Sequence, residues 1–178
     1  MNRLQAIRVL SEWDRRGHYV FTLHDLAKLF PIDKSKTLKE GINRLVRDGL
    51  LKRACRGVYI YPYAHSMDSH IVELIAKTLR RGEYNYVSFE SALSEYGAIS
   101  QIPIDRLTVM TTGRKGTHQT PYGIIEFTHT KRPVQDIIQH IRDIKRPLRI
   151  ATPQAAWRDL KRVGRNTHLV NHSVLQDD

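Results

Sequence analysis

The 178-residue sequence contains a single cysteine, Cys55. One thiol excludes an internal disulfide, and without a second cysteine nearby there is no thiolate cluster for a structural zinc. No run approaches the roughly 20 consecutive apolar residues that a bilayer span requires. The opening Met1-Asn2-Arg3-Leu4 leads into amphipathic sequence instead of an apolar signal segment. A cytoplasmic protein without a membrane segment is therefore expected. Chemistry-bearing motifs are also missing. Gly113-Arg114-Lys115-Gly116 lacks the spacing of a phosphate-binding loop and precedes no helix, so it reads as a solvated hairpin tip. His168 and His172 have helical spacing, but no carboxylate stands at ligand spacing, and neither a metal nor a cofactor is expected. Paired carboxylates and a nucleophile elbow are absent, Ser88 and Ser91 read as helix-capping residues, and the chain is not expected to be an enzyme.

Charge is abundant and of one sign. Lys and Arg number 29 against 18 Asp and Glu, a net charge of +11, with an isoelectric point near 10.0. Residues 1–65 carry 13 − 6 = +7 and residues 66–178 carry 16 − 12 = +4, so the excess is denser in the shorter first part. That favours a polyanionic partner, although a merely solvated basic surface would have the same total. The pattern along the chain separates the two.

Leu4, Ile7, Leu10 and Trp13 recur at three-residue spacing and predict an amphipathic helix from Arg3 to Asp14. A β-prone Tyr19-Val20-Phe21 follows. Thr22-Leu23-His24-Asp25 then fits a capping box, starting a second helix that Pro31 stops. After Pro31-Ile32-Asp33, the residues Leu38, Ile42, Leu45 and Val46 give Lys34 to Asp48 a helical period with one core face. The opposite face collects Lys36, Glu40, Asn43, Arg44 and Arg47, with Ser35, Thr37 and Lys39 near the exposed amino-terminal end. Gly49 ends this helix. Leu50 to Arg53 and Val58 to Tyr61 read as two strands joined by Ala54-Cys55-Arg56-Gly57. Three helices followed at once by a hairpin is the order of a winged helix-turn-helix, whose third helix enters the major groove while the wing rests on backbone or minor groove. Lys36, Arg44 and Arg47 would reach phosphates or guanine edges, Asn43 would pair with adenine, and Lys52, Arg53 and Arg56 would hold phosphate from the wing. Glu40 would accept from cytosine or orient Arg44 one turn on. Winged helices also serve as protein-interaction modules, and a generic regulator without a further partner remains open at this point.

Phe21-Thr22-Leu23-His24-Asp25-Leu26-Ala27, Leu45-Val46-Arg47-Asp48-Gly49-Leu50-Leu51 and Arg53-Ala54-Cys55-Arg56-Gly57-Val58-Tyr59 resemble the second-helix entry, recognition-helix exit and wing of the AbiEi family of antitoxins. The segments from Tyr86 to Gly97 and from Ala151 to Leu160 are similar to family segments too. The resemblance implies an amino-terminal winged helix joined to an antitoxin domain, repression of the protein's own operon, and neutralisation of a separately encoded toxin that resembles a nucleotidyltransferase. Operator logic then implies an inverted repeat in double-stranded DNA and a homodimer bound to it. The residues read on their own support the repressor half alone, and antitoxin activity has no local chemical signature.

Beyond the junction near His65, a helix through Leu79, capped by Asp68 or Ser69, precedes a short strand from Tyr84 to Val87 and a helix started by Ser88. Leu107 to Thr111 and Tyr122 to Thr128 read as an antiparallel pair joined by a basic loop. A weak helix from Val134 to Ile144 and a Thr152-Pro153 helix to Val163 follow, and from Arg165 on there is no period, which suits a fraying or partner-crossing tail. The expected class is α+β: residues 1–65 as a winged helix-turn-helix and residues 66–178 as a small mixed α+β antitoxin or interaction domain.

Overall fold

Capping chemistry sets the element boundaries in the computed structural model, which describes residues 1–100 and 105–176. Two units emerge, Met1–Ile71 and Val72–Asp178. In the first, the Asn2 side chain accepts from the Gln5 amide at 2.8 Å and opens α1 (Arg3–Asp14). After β1 (Val20–Thr22), the Thr22 hydroxyl accepts from the Asp25 amide at 3.0 Å, and the Asp25 carboxylate accepts from the Thr22 amide at 2.8 Å. This reciprocal box starts α2 (Leu23–Leu29), which ends ahead of Pro31. Then come α3 (Ser35–Arg47) and the hairpin β2 (Lys52–Cys55) and β3 (Val58–Ile60). The three strands form one antiparallel sheet in the order β1-β3-β2. The unit is a winged helix-turn-helix.

Two local expectations are corrected here. Leu50 and Leu51 are not strand residues. Gly49 turns left-handed (φ 73°), and the amides of Leu50 and Leu51 both bond to the Leu45 carbonyl, at 2.9 and 3.1 Å, closing the helix end. With their amides committed there, both leucines drop into the core and the ladder begins only at Lys52. The buried stripe of α1 is also different: Ala6, Leu10 and Asp14 face inward, while Leu4 is 72% exposed. A carboxylate is tolerated at the end of that stripe because Asp14 accepts from the His65 amide (2.8 Å), the Ser66 amide (3.0 Å) and the Ser66 hydroxyl (2.6 Å). Burial pushes its pKa up, but these donors outweigh burial and hold it below the usual aspartate value.

The second unit carries a six-stranded sheet in the order β6-β7-β5-β4-β9-β8 among the described residues. Its elements are α4 (Ile71–Leu79), β4 (Asn85–Val87), α5 (Phe89–Glu95), β5 (Arg106–Thr111), β6 (Gly116–Thr120), β7 (Gly123–His129), α6 (Val134–Gln139), β8 (Ile141–Arg142), β9 (Arg149–Ala151) and α7 (Pro153–Val163). The chain as a whole is α+β. Contrary to expectation, β5 and β7 are parallel. The supposed basic loop between them contains a strand, β6, which pairs antiparallel with β7 and brings the chain round to enter β7 in the same direction as β5. Gly113 to Lys115 is therefore the β5–β6 link and not a hairpin tip. The expected helix from Val134 to Ile144 stops at Gln139, where the chain turns into β8 and pairs with β9. Asp68 accepts from the His70 amide at 2.8 Å, ahead of α4.

Ser88 and Ser91 are not side-chain caps. The Ser88 hydroxyl donates to Asp159 at 2.7 Å, and the Ser91 hydroxyl accepts from the Thr108 amide at 2.9 Å and donates to the Arg106 carbonyl. Asp159 also receives Arg132, so a fully buried carboxylate is doubly bonded. The segment after Arg165 does not fray within the described residues. The Arg165 guanidinium donates to Glu90 (2.7 Å) and to Glu126, Asn166 donates to Glu90 at 3.0 Å, and the Asn171 amide bonds the Ala98 carbonyl at 2.8 Å. His172 lies in the second of two short 3-10 turns and meets Trp157 edge-on, with ring centroids 4.7 Å apart.

Candidate nucleic-acid interface

Leu38, Ile42 and Leu45 hold α3 against the core, each burying apolar surface worth about 1.5–3 kcal/mol. Gly41 completes that face, where a side chain would meet the Met1 side chain. At about 100° per residue, the direction opposite this buried stripe is occupied by Lys36, Glu40, Asn43 and Arg47, within roughly 60° of one another. All four are exposed. Ser35 and Lys39 lie on one flank of this face and Thr37 and Arg44 on the other, again exposed. The sequence-predicted helix residues therefore form one continuous surface, and Arg47 stands nearer its centre than Arg44.

Arg44 is held at its flank position, its guanidinium donating to the Met1 carbonyl at 2.9 Å. The alternative in which Glu40 orients Arg44 is corrected by this contact, which draws the guanidinium toward the amino-terminal segment. Lys34, which the sequence reading passed over, occupies the N-cap position. It is exposed and provides no side-chain cap to the first amides of α3. The absence of a Ser, Thr, Asp or Asn at residue 34 was the available clue.

The wing adds three exposed cations, Lys52 and Arg53 on β2 and Arg56 in the turn. Gly57, at φ 80°, makes the tight reversal possible, and its carbonyl accepts from the Leu23 amide at 3.1 Å, tying the wing turn to the start of α2. The Arg53 Nε leans on the Cys55 carbonyl at 3.4 Å, and a register shift between Arg53 and Cys55 twists the strand locally. Among the described residues, Lys36, Lys39, Arg47 and Arg56 enter no ion pair. In the second unit, by contrast, Arg132, Arg146 and Arg165 are each bound to carboxylates.

Residues 8–62, which run from within α1 to just past the wing, match the family model described as a transcriptional regulator, AbiEi antitoxin. Over that stretch the amino-terminal unit is similar to AbiEi antitoxin transcriptional regulators. The matched stretch contains every residue of the α3 and wing surface, so the basic face sits within the part that resembles this family. No curated protein matches the chain significantly. Among solved structures, the chain is similar to the RV2827C protein from Mycobacterium tuberculosis, at 18% identity and a TM-score of 0.48, covering 74% of this chain and 47% of that one. The chain thus spans about half the length of that protein. No helix among the described residues is long and apolar enough to cross a membrane.

Proposed function

We propose that this chain is a sequence-specific, DNA-binding antitoxin that represses its own toxin–antitoxin operon and neutralises a cognate nucleotidyltransferase-like toxin. The observation that carries the DNA-binding part is the cluster of exposed cations without acidic partners on α3 and the wing turn, against the carboxylate-paired arginines of the second unit. A cation surface left unneutralised in the free protein is available to displace counterions from a polyanion. With 13 residues, α3 is about 20 Å long and fits a major groove roughly 12 Å wide.

In this reading Asn43 pairs with adenine, Lys36 and Arg47 reach guanine or phosphate, and Glu40 accepts from a cytosine amine. Ser35, Thr37, Lys39 and Arg44 hold the flanking backbone, and the amino-terminal end of α3 adds its partial positive charge there. Lys52, Arg53 and Arg56 set the wing on phosphates. Two copies on an inverted repeat would place their α3 helices about 34 Å apart, one turn of the duplex. The protein acts in the cytoplasm, and its second unit supplies the antitoxin role that the family description names.

The test is titration of the full chain onto labelled DNA from its upstream region and onto a scrambled duplex at several salt concentrations. A preference of about 10³-fold or more with a steep salt slope is expected. Equal, weak binding to both would refute the repressor reading and favour a protein-interaction module.

A further inference from the structure

Of the large apolar side chains exposed among the described residues, Ile32 is the most open, at 90%. It occupies the link between α2 and α3. That link is a tight turn in which the Asp33 amide bonds the Phe30 carbonyl at 3.1 Å, Pro31 holds the second position and Ile32 the third. Phe30 anchors one end in the core, 2% exposed. The position favours Gly, Asn, Asp or Ser, so a β-branched hydrocarbon there is chosen neither for the turn nor for the core. Its place is what distinguishes it: three residues ahead of Ser35, at the amino-terminal end of α3, beside Lys34, Ser35 and Lys36, all exposed.

Resting on the DNA-binding reading above, we infer that Ile32 is a specificity-determining residue that packs on the C5-methyl group of a thymine beside the α3 footprint. In the major groove the thymine methyl is the one apolar handle that a base edge offers, and a rigid, solvent-facing hydrocarbon at the leading end of a recognition helix matches it. The rigid turn means that little side-chain or backbone freedom is lost on contact. Polar neighbours read donors and acceptors, and Ile32 adds discrimination of A·T from G·C at a position that they do not cover.

The experiment uses the full chain and its upstream duplex, with thymines of the protected footprint replaced one at a time by deoxyuridine, which removes the methyl group alone. Wild type should bind about fourfold more weakly at one thymine per half-site, the effect of one buried methyl-sized group. Ile32→Ala should bind the thymine and deoxyuridine duplexes equally there, and Ile32→Val should retain the discrimination. Because Ile32 is exposed, neither change should alter folding. Wild-type indifference to deoxyuridine at every position, with operator preference intact, would overturn the inference and leave the DNA-binding reading standing. Persistence of the deoxyuridine effect in Ile32→Ala would assign the methyl to another residue and overturn it too. Altered self-association of Ile32→Ala without DNA, and no change in methyl sensitivity, would make Ile32 a contact between copies and overturn it as well. Absence of any operator preference removes the DNA-binding reading and this inference with it.

Discussion

Neutralising the wing by Arg53→Ala and Arg56→Ala offers a quantitative test of docking. Both side chains are exposed, and among the described residues their one hydrogen bond within the protein is the long 3.4 Å contact from Arg53 to the Cys55 carbonyl. The double variant should therefore fold with a stability within about 0.5 kcal/mol of wild type. If each guanidinium neutralises one phosphate, the slope of log K against log salt should shrink by about 0.9 per residue, or roughly 1.8 per protomer and 3.6 for a dimer on an inverted repeat. Between 50 and 200 mM salt, such a dimer of wild type would lose about 150-fold more affinity than the variant. Fluorescence anisotropy over a salt series reads the slope directly. The ratio of operator to scrambled affinity should stay nearly constant, since backbone contacts carry little base information. A slope unchanged within about half a unit would show that the wing does not lie on DNA backbone and would refute this docking. A collapse of the operator ratio with an unchanged slope would place the wing on base edges instead.

The buried network of the second unit yields two further expectations. Asp159→Ala removes the carboxylate that receives Arg132 and Ser88 and leaves a mostly buried guanidinium with the longer 3.8 Å pair to Asp136, which should cost about 3 kcal/mol in urea unfolding; a loss below about 1 kcal/mol would contradict the structural role. Glu90 titrates below its ordinary range because, although burial pushes its pKa up, Arg165 and Asn166 hold the charged form. With the folded value depressed, its contribution is full above the unfolded value near 4.5 and is lost as pH falls toward the folded value. Glu90→Gln should consequently flatten the acid limb of the stability curve below about pH 4.5, and an unaltered acid limb would contradict the assignment.

Much of the amino-terminal unit was legible because its cues are short-range. The Thr22–Asp25 box lies within four residues, Pro31 stops α2 on its own, and the apolar period of α3 simultaneously defines the face turned outward. The same local logic misjudged Leu50 and Leu51, whose hydrophobicity suits a strand, because closure of the helix end at Gly49 captured their amides first. It misjudged Leu4 as well, since spacing states which residues share a side of α1 but not which side the core covers. For the candidate surface, exposure of Lys36, Glu40, Asn43 and Arg47 follows from the period alone. The engagement of Arg44 with the Met1 carbonyl does not, because 43 residues separate the partners.

By itself, then, the sequence determined the overall excess of positive charge and, in the amino-terminal unit, the helix starts and stops, the hairpin reversal at Gly57 and the basic face of α3, the last three encoded within a few turns of chain. Only the tertiary structure decided that β5 and β7 run parallel, that a polar stretch from Gly116 to Thr120 is a strand, and that Asp14, Glu90 and Asp159 are buried. Strand order depends on backbone pairing between distant segments, which leaves no mark in local hydrophobicity. Burial of a carboxylate depends on donors such as Ser88, 71 residues from Asp159, and Arg165, 75 residues from Glu90, whose proximity exists only once the chain has folded.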